Sequence, residues 1–260
     1  MFIGREKELQ TLEKIYKKDS FECVVIYGRR RVGKTTLINE FLKGKKAIFF
    51  PGIDSNEKQN LEIFGNSIMN YAHSQGVVTG TSFKDFQEAL DMIAILAKDE
   101  RMVLAIDEYP YVANGYSGIS SLLASFIDHK FLNTKLMLIL CGSSLSFMEN
   151  QVLGYQSPLY GRRTAQMKIK PFTFSECKKY YRNFSINDMA VVYGITGGIP
   201  LYMSKINDNK SIEENIKEQF LDTSAYLFEE PANLIKQECR EPMQYNAIIK
   251  AIATGSSKIS

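Results

Sequence analysis

Cys23-Val24-Val25-Ile26-Tyr27-Gly28-Arg29-Arg30-Arg31-Val32-Gly33-Lys34-Thr35-Thr36 is the stretch that decides the fold. Its first five residues are apolar and rich in β-branched side chains, without the alternation of a half-exposed strand, so they read as a strand buried on both faces. The next eight have the spacing Gly-x-x-x-x-Gly-Lys-Thr, and residues 35–42 continue with helical character. A glycine-bounded loop of this spacing, set between a strand and a helix, is a phosphate cradle. The glycines let the backbone curl until successive N–H groups point inward, and the helix start adds its positive end. Lys34 then reaches the β- and γ-phosphates, the Thr35 hydroxyl helps hold Mg²⁺, and Thr36 touches the α-phosphate. Arg29, Arg30 and Arg31 have two readings: a solvated basic run, or arginines that screen phosphates or meet a partner. The loop as a whole, Gly28 to Thr36 with Val32 inside it, implies a nucleoside triphosphate with Mg²⁺.

Outward from this loop, short apolar runs at 47–50, 102–106, 136–140 and 167–170 read as further strands. Helical spacing covers 5–18, 57–74, 83–98 and 120–128, with Ser82 as N-cap of the third and Asp85 at its third helical position. Strands alternating with helices give an α/β class with a mostly parallel, five-stranded sheet flanked by helices over residues 1–170. Beyond Pro171 the patterns are helical only, which predicts a small helical lid domain over 171–231. A further helical unit begins at 232 and runs to 260.

Two other strand ends carry chemistry. Met102 to Ile106 delivers Asp107 and Glu108 at a carboxyl edge, where ligands sit in open α/β sheets. Asp107 there binds Mg²⁺, usually through water, and Glu108 orients or polarises the attacking water; the competing reading is a pair that caps a helix. Leu136 to Cys141 ends in Gly142-Ser143-Ser144. One of these serines senses the γ-phosphate or positions water between it and Glu108, or else is the N-cap of the helix that follows.

Composition excludes several alternatives. Of 260 residues, 45% are hydrophobic and 23% charged, and the formal charge is +3; that is an ordinary globular balance, too nearly neutral to imply nucleic acid by itself. Lys43, Lys45 and Lys46 form a local basic cluster, read either as a solvated face or as a DNA contact. Cys23, Cys141, Cys177 and Cys239 are widely spaced and accompanied only by His73 and His129, which argues against zinc and for a reducing cytoplasm. There is no signal-peptide pattern and no apolar run long enough to cross a bilayer.

Taken in order, these elements resemble the archaeal-type ATPase family of the AAA+/STAND division of P-loop NTPases. Phe2-Ile3-Gly4-Arg5-Glu6-Lys7-Glu8-Leu9 is similar to that family's N-terminal box. Ile106 to Tyr111 resembles its acidic motif, Cys141 to Ser144 its sensor strand end, and Ser157 to Thr164 and Gly197-Gly198-Ile199-Pro200 complete the match. The resemblance implies ATP as the nucleotide and Arg5 in the segment lining the adenine pocket. It also implies Pro200 in a lid turn against the base, although a Gly-Gly-x-Pro turn is ordinary turn chemistry as well. Arg162 or Arg163 is then a candidate arginine finger, donated to a neighbouring copy in a homo-oligomer, or an arginine tied to a surface carboxylate. Residues 243–260 look like the first helix and a half of a winged helix. The function implied is Mg²⁺-dependent ATP hydrolysis coupled to movement of the lid and C-terminal region. The alternative is a slow or non-hydrolysing switch that holds ADP until a signal arrives. A small-molecule kinase is disfavoured, because nothing resembles a phosphoacceptor site.

Overall fold

The computed structural model describes residues 3–76, 82–239 and 241–256. Phe2 of the N-terminal box and residues 257–260 of the expected winged helix lie outside them. The chain divides into two compact units, Met1–Lys170 and Pro171–Ser260.

In the first unit the elements run α1 (Glu6–Tyr16), β1 (Glu22–Tyr27), α2 (Lys34–Leu42), β2 (Ala47–Pro51), α3 (Glu57–Ser74), α4 (Phe86–Leu96), β3 (Met102–Asp107), α5 (Tyr109–Gly115), α6 (Ile119–His129), β4 (Leu136–Gly142) and β5 (Ala165–Lys168). All five strands pair in parallel, in the order β2-β3-β4-β1-β5. Every residue of β1, β3 and β4 is buried, which is why their sequences are continuous apolar runs. Alternation along each strand sorts side chains between two cores. Val25, Leu104, Ile106, Leu138 and Leu140 face a core completed by Phe64, Phe86 and Leu123 from α3, α4 and α6. Val24, Ile26, Val103, Ala105 and Ile139 face the core completed by Leu12 of α1 and Leu37, Ile38 and Phe41 of α2.

Two element boundaries depart from expectation. α4 starts at Phe86 rather than near residue 83, because the Asp85 carboxylate, not the Ser82 hydroxyl, accepts the Glu88 amide at 2.9 Å. The carboxylate satisfies one of the four open amides of the helix start. The last strand spans Ala165–Lys168 rather than 167–170. Val24 pairs with Ala165 and Tyr27 with Lys168, and the Thr164 amide donates to the Cys23 carbonyl just ahead of the strand.

The second unit contains no strand among its described residues. Its core gathers Phe172, Cys177, Tyr181, Val192, Met203 and Ile206, and the buried Tyr181 hydroxyl donates to the Met203 carbonyl at 2.6 Å. Capping boxes at Thr173/Glu176, Ser185/Asp188 and Ser211/Glu214 set three helix starts. The division expected at 231/232 falls inside one helix, Tyr226–Glu238, which carries Pro231. That proline removes one intrahelical hydrogen bond and its ring crowds the carbonyl one turn back, yet the helix is continuous across it. The final helix, Pro242–Ala253, leaves Met243, Tyr245, Ile248, Ile249 and Ile252 exposed.

Candidate nucleotide-binding site

The sheet order puts three strand ends side by side. Because β4 lies between β1 and β3, the residues after β1 (the loop 28–33), after β3 (Glu108) and after β4 (Ser143) share one edge. The loop is held against that edge at both ends. A Cβ on Gly28 would lie 2.2 Å from the Ile169 carbonyl oxygen, so only glycine fits there. At the other end Gly33 adopts φ 86°, ψ 29° as it opens α2, a left-handed conformation that glycine takes without strain.

Lys34 is buried at 5% exposure. Its ammonium donates to the carbonyls of Gly28 (3.0 Å) and Arg29 (2.9 Å), so the lysine staples the loop across its own mouth. Burial lowers the pKa of this amine; an anion entering the loop would restore part of the solvation it has lost. The Thr35 hydroxyl donates to Asp107 Oδ2 at 2.6 Å, across 72 residues of chain. Thr35 and Thr36 are exposed on the first turn of α2.

Asp107 is also 5% exposed, and its other oxygen accepts the Glu108 amide at 3.0 Å. Behind it stands the Cys141 thiol, whose pKa is raised first by burial and then by the Asp107 charge. Glu108 occupies the N-cap position of α5 without capping it. Its carboxylate instead accepts from the Ser143 amide (3.2 Å) and the Ser143 hydroxyl (2.8 Å). Ser144, not Ser143, is the cap residue of the short helix Leu145–Phe147, and its side chain makes no capping bond.

Among the described residues only Arg5, Arg31 and Glu108 are non-glycines at positive φ (67°, 70° and 48°). Each such conformation costs on the order of 1–2 kcal/mol. Two of the three lie in the phosphate loop and the acidic motif, and the third grips the loop. Arg5 Nη2 donates to the Val32 carbonyl (3.1 Å) and the Lys170 carbonyl (2.5 Å), and Nη1 to Glu8 (3.2 Å). Its guanidinium therefore ties the N-terminal segment to the loop and to the end of the first unit.

The three loop arginines differ. Arg29 is exposed, Arg31 takes the left-handed turn, and Arg30 donates through Nη2 to the Tyr111 hydroxyl at 2.7 Å. Tyr111 ends the acidic motif, and the sequence alone assigns it no role. It lies three positions after Glu108, on the same face of the first turn of α5, and that spacing is the signal that would have found it.

The remaining residues lie elsewhere. Arg162 forms a two-pronged pair with Asp128 (2.9 and 2.6 Å) and donates to the Pro158 carbonyl (2.5 Å). Arg163 stacks over the Tyr160 ring at 5.8 Å and makes no ion pair among the described residues. Pro200 is the first residue of the helix Pro200–Met203 in the second unit. The lysine cluster is largely neutralised: Lys43 pairs with Glu40 and Lys45 with Glu13, each at 2.6 Å, and Lys46 with Glu100. The solvated-face reading of these lysines is the one their ion pairs support.

Thr35 and Asp107 supply hard oxygen donors 2.6 Å apart, while no group of three metal-ligating side chains exists among the described residues. One hydroxyl and one carboxylate fit Mg²⁺, which keeps waters and takes its other ligands from phosphate, better than a metal caged by protein alone.

Comparison with known proteins gives the family and the fold. Residues 2–206 match the model of an ATPase domain predominantly from Archaea. An uncharacterised protein of Methanocaldococcus jannaschii is 30% identical over 259 residues, which is 98% of this chain and 55% of the relative. The chain thus spans about half the length of that relative. An uncharacterised ATP-binding protein of the same organism is 48% identical over 46 residues, 18% of this chain and 78% of that one. Among solved structures, the Walker-type ATPase of Pyrococcus abyssi superposes with a TM-score of 0.66 at 21% identity, covering 98% of this chain and 80% of that one. The ADP form of the Aeropyrum pernix ORC2 protein gives 0.56 at 13% identity, covering 100% and 77%. These two likenesses speak to the fold alone. Among the described residues no helix is long and apolar enough to cross a membrane. With four-fifths of its length matched by the family model and its strand ends arranged as a P-loop ATPase requires, the chain belongs to the ATPase domain family found predominantly in Archaea.

Proposed function

We propose that this chain is a Mg²⁺-dependent ATPase whose nucleotide state is coupled to movement of the helical second unit. The observation that carries the reading is the side-by-side placement of the Thr35–Asp107 pair and the Glu108–Ser143 pair at the mouth of the Lys34 loop. Loop amides and Lys34 bind the phosphates, with Thr36 on the α-phosphate. Thr35 and Asp107 would hold Mg²⁺, which when bound would neutralise charge on the phosphate oxygens. Glu108 orients a water for in-line attack and takes up its proton, with Ser143 fixing the carboxylate on the side of the terminal phosphate. Arg163 is the better of the two arginines for donation to a neighbouring copy, since Arg162 is already paired with Asp128. The Gly198–Pro200 turn closes the helical unit, read as a lid, over the base, and helix Pro242–Ala253 begins a winged helix that receives the movement.

Single-turnover hydrolysis of Mg²⁺-ATP tests this. Removing a positioned base costs roughly 10²–10⁴-fold in rate, so Glu108→Gln is expected to fall by that amount. A wild-type rate no higher than that of Glu108→Gln sinks the ATPase reading. One observation favours a slower, switch-like version of the same activity. The Glu108 carboxylate already accepts the amide and the hydroxyl of Ser143 through Oε2; hydrogen bonds to the charged form lower the basicity of a carboxylate, which leaves Oε1 a weaker base toward water.

A further inference from the structure

Arg30 differs in its partner from Arg5, Arg101 and Arg162 of the first unit. Arg162 is neutralised by Asp128, and Arg5 and Arg101 are clasped by backbone carbonyls. Arg30 is half-buried inside the phosphate loop, and its partner is a phenol. Among the described residues it makes no ion pair. A phenol hydroxyl accepts one N–H of a guanidinium without cancelling its charge, and four donors are left to engage. The hydroxyl also fixes where the charge sits. Tyr111 is rooted in α5, where its amide donates to the Glu108 carbonyl at 2.9 Å, so Arg30 is tethered one helical turn from the carboxylate that faces the attacking water. Its charge shares the loop with that of Lys34, whose ammonium bridges the Gly28 and Arg29 carbonyls. Two cations crowded into one loop repel, and a polyanion between them relieves the repulsion.

We propose that Arg30 is a ligand of the terminal phosphate supplied within the chain, with Tyr111 as its positioning residue, so that this pair sets the preference for nucleoside triphosphate over diphosphate. The inference rests on the nucleotide-binding reading above. A guanidinium held by a neutral tether is poised to exchange one hydroxyl acceptor for a pair of phosphate oxygens, which is the two-pronged geometry arginine favours. The diphosphate lacks those oxygens and leaves Arg30 on Tyr111.

The test is titration of Mg²⁺-ATP and Mg²⁺-ADP into the full chain carrying Glu108→Gln, which blocks turnover, alone and with Arg30→Ala, Arg30→Lys, Tyr111→Phe or Lys34→Ala added. Losing a charge-assisted contact corresponds to roughly ten- to hundred-fold in affinity, so Arg30→Ala is expected to weaken ATP by that factor and ADP by less than about threefold. Arg30→Lys should recover part of the loss, because it keeps the charge without the fork. Tyr111→Phe should lower the ATP-to-ADP ratio by a smaller factor and add nothing in the Arg30→Ala background, an epistasis that a merely structural tyrosine would not produce. Equal losses for the two nucleotides, no loss, or additive effects of the two substitutions overturn the proposal. ATP binding that depends on Lys34 but not on Arg30 overturns it while leaving the nucleotide reading intact. Absence of Lys34-dependent ATP binding overturns both.

Discussion

The left-handed backbone at Glu108 makes an unusual demand of stability experiments. At an ordinary helix position, alanine is more stable than glycine by about 0.5–1 kcal/mol. At φ 48°, ψ 46° the order should invert, because any residue with a Cβ is strained there by about 1–2 kcal/mol and glycine is not. Glu108→Ala and Glu108→Gly both remove the carboxylate and both bonds to Ser143, so that loss cancels when the two are compared. What survives is the strain, less the extra unfolded-state freedom of glycine, a net advantage to Glu108→Gly of about 1 kcal/mol. For a chain of this size that corresponds to a rise of about 2–4 °C in Tm relative to Glu108→Ala. Urea denaturation, with thermal melts in parallel, reads the difference, and both variants should lose hydrolysis alike. If Glu108→Ala proves as stable as Glu108→Gly, the carboxylate is not held in a strained turn and the account of its pre-set orientation is wrong.

Three other outcomes are expected. Thr35→Val and Asp107→Asn each break the 2.6 Å pair and should raise the Mg²⁺ concentration needed for tight ATP binding by roughly 10–100-fold, measured by Mg²⁺ titration at fixed ATP; an unchanged midpoint refutes the metal assignment. Arg163→Ala should abolish any dependence of turnover per chain on protein concentration, whereas Arg162→Ala should leave it, because Arg162 is engaged by Asp128; the reverse result would reassign the finger. Burial pushes the Cys23 thiol from 9.0 to about 12. The unfolded chain releases that proton above pH 9 while the folded chain keeps it, so stability should fall between pH 9 and 12 by up to about 1.4 kcal/mol per pH unit. Denaturation midpoints from pH 8 to 11 should fall less steeply in Cys23→Ala, and parallel slopes in the two proteins would exclude the thiol.

The parts of this molecule that sequence discloses are those with local signals. The Gly28–Thr35 spacing, the carboxylates ending an apolar run and the buried strands all follow from residues adjacent in the chain. Strand order does not. Parallel neighbours are joined by long crossovers that carry no register signal, so nothing near Leu136 says that β4 inserts between β1 and β3. The grip of Arg5 on Lys170 spans 165 residues and the Arg30–Tyr111 bond 81, and neither has a motif. The start of α4 is ambiguous in sequence because Ser82 and Asp85 are both good caps, and the choice between them is made by where Phe86 reaches the core. The lysines at 43, 45 and 46 read as a cluster only while their partners Glu40, Glu13 and Glu100 are unknown.

The position of β1 has a consequence for how the protein is made. Its two neighbours are the last strands of the unit: Val24 pairs with Ile139 on one side and with Ala165 on the other. Gly28 closes against Ile169, and Arg5 joins Val32 to Lys170. A ribosome that has released only the first hundred residues has therefore emitted the entire phosphate motif, but none of the strands that flank it. Such long-range pairing is slow to form and exposes apolar surface while it waits. The strands and carbonyls that hold the phosphate motif are complete only when residue 170 has cleared the exit tunnel, so the earliest-made motif is among the last parts of the unit to be held in place.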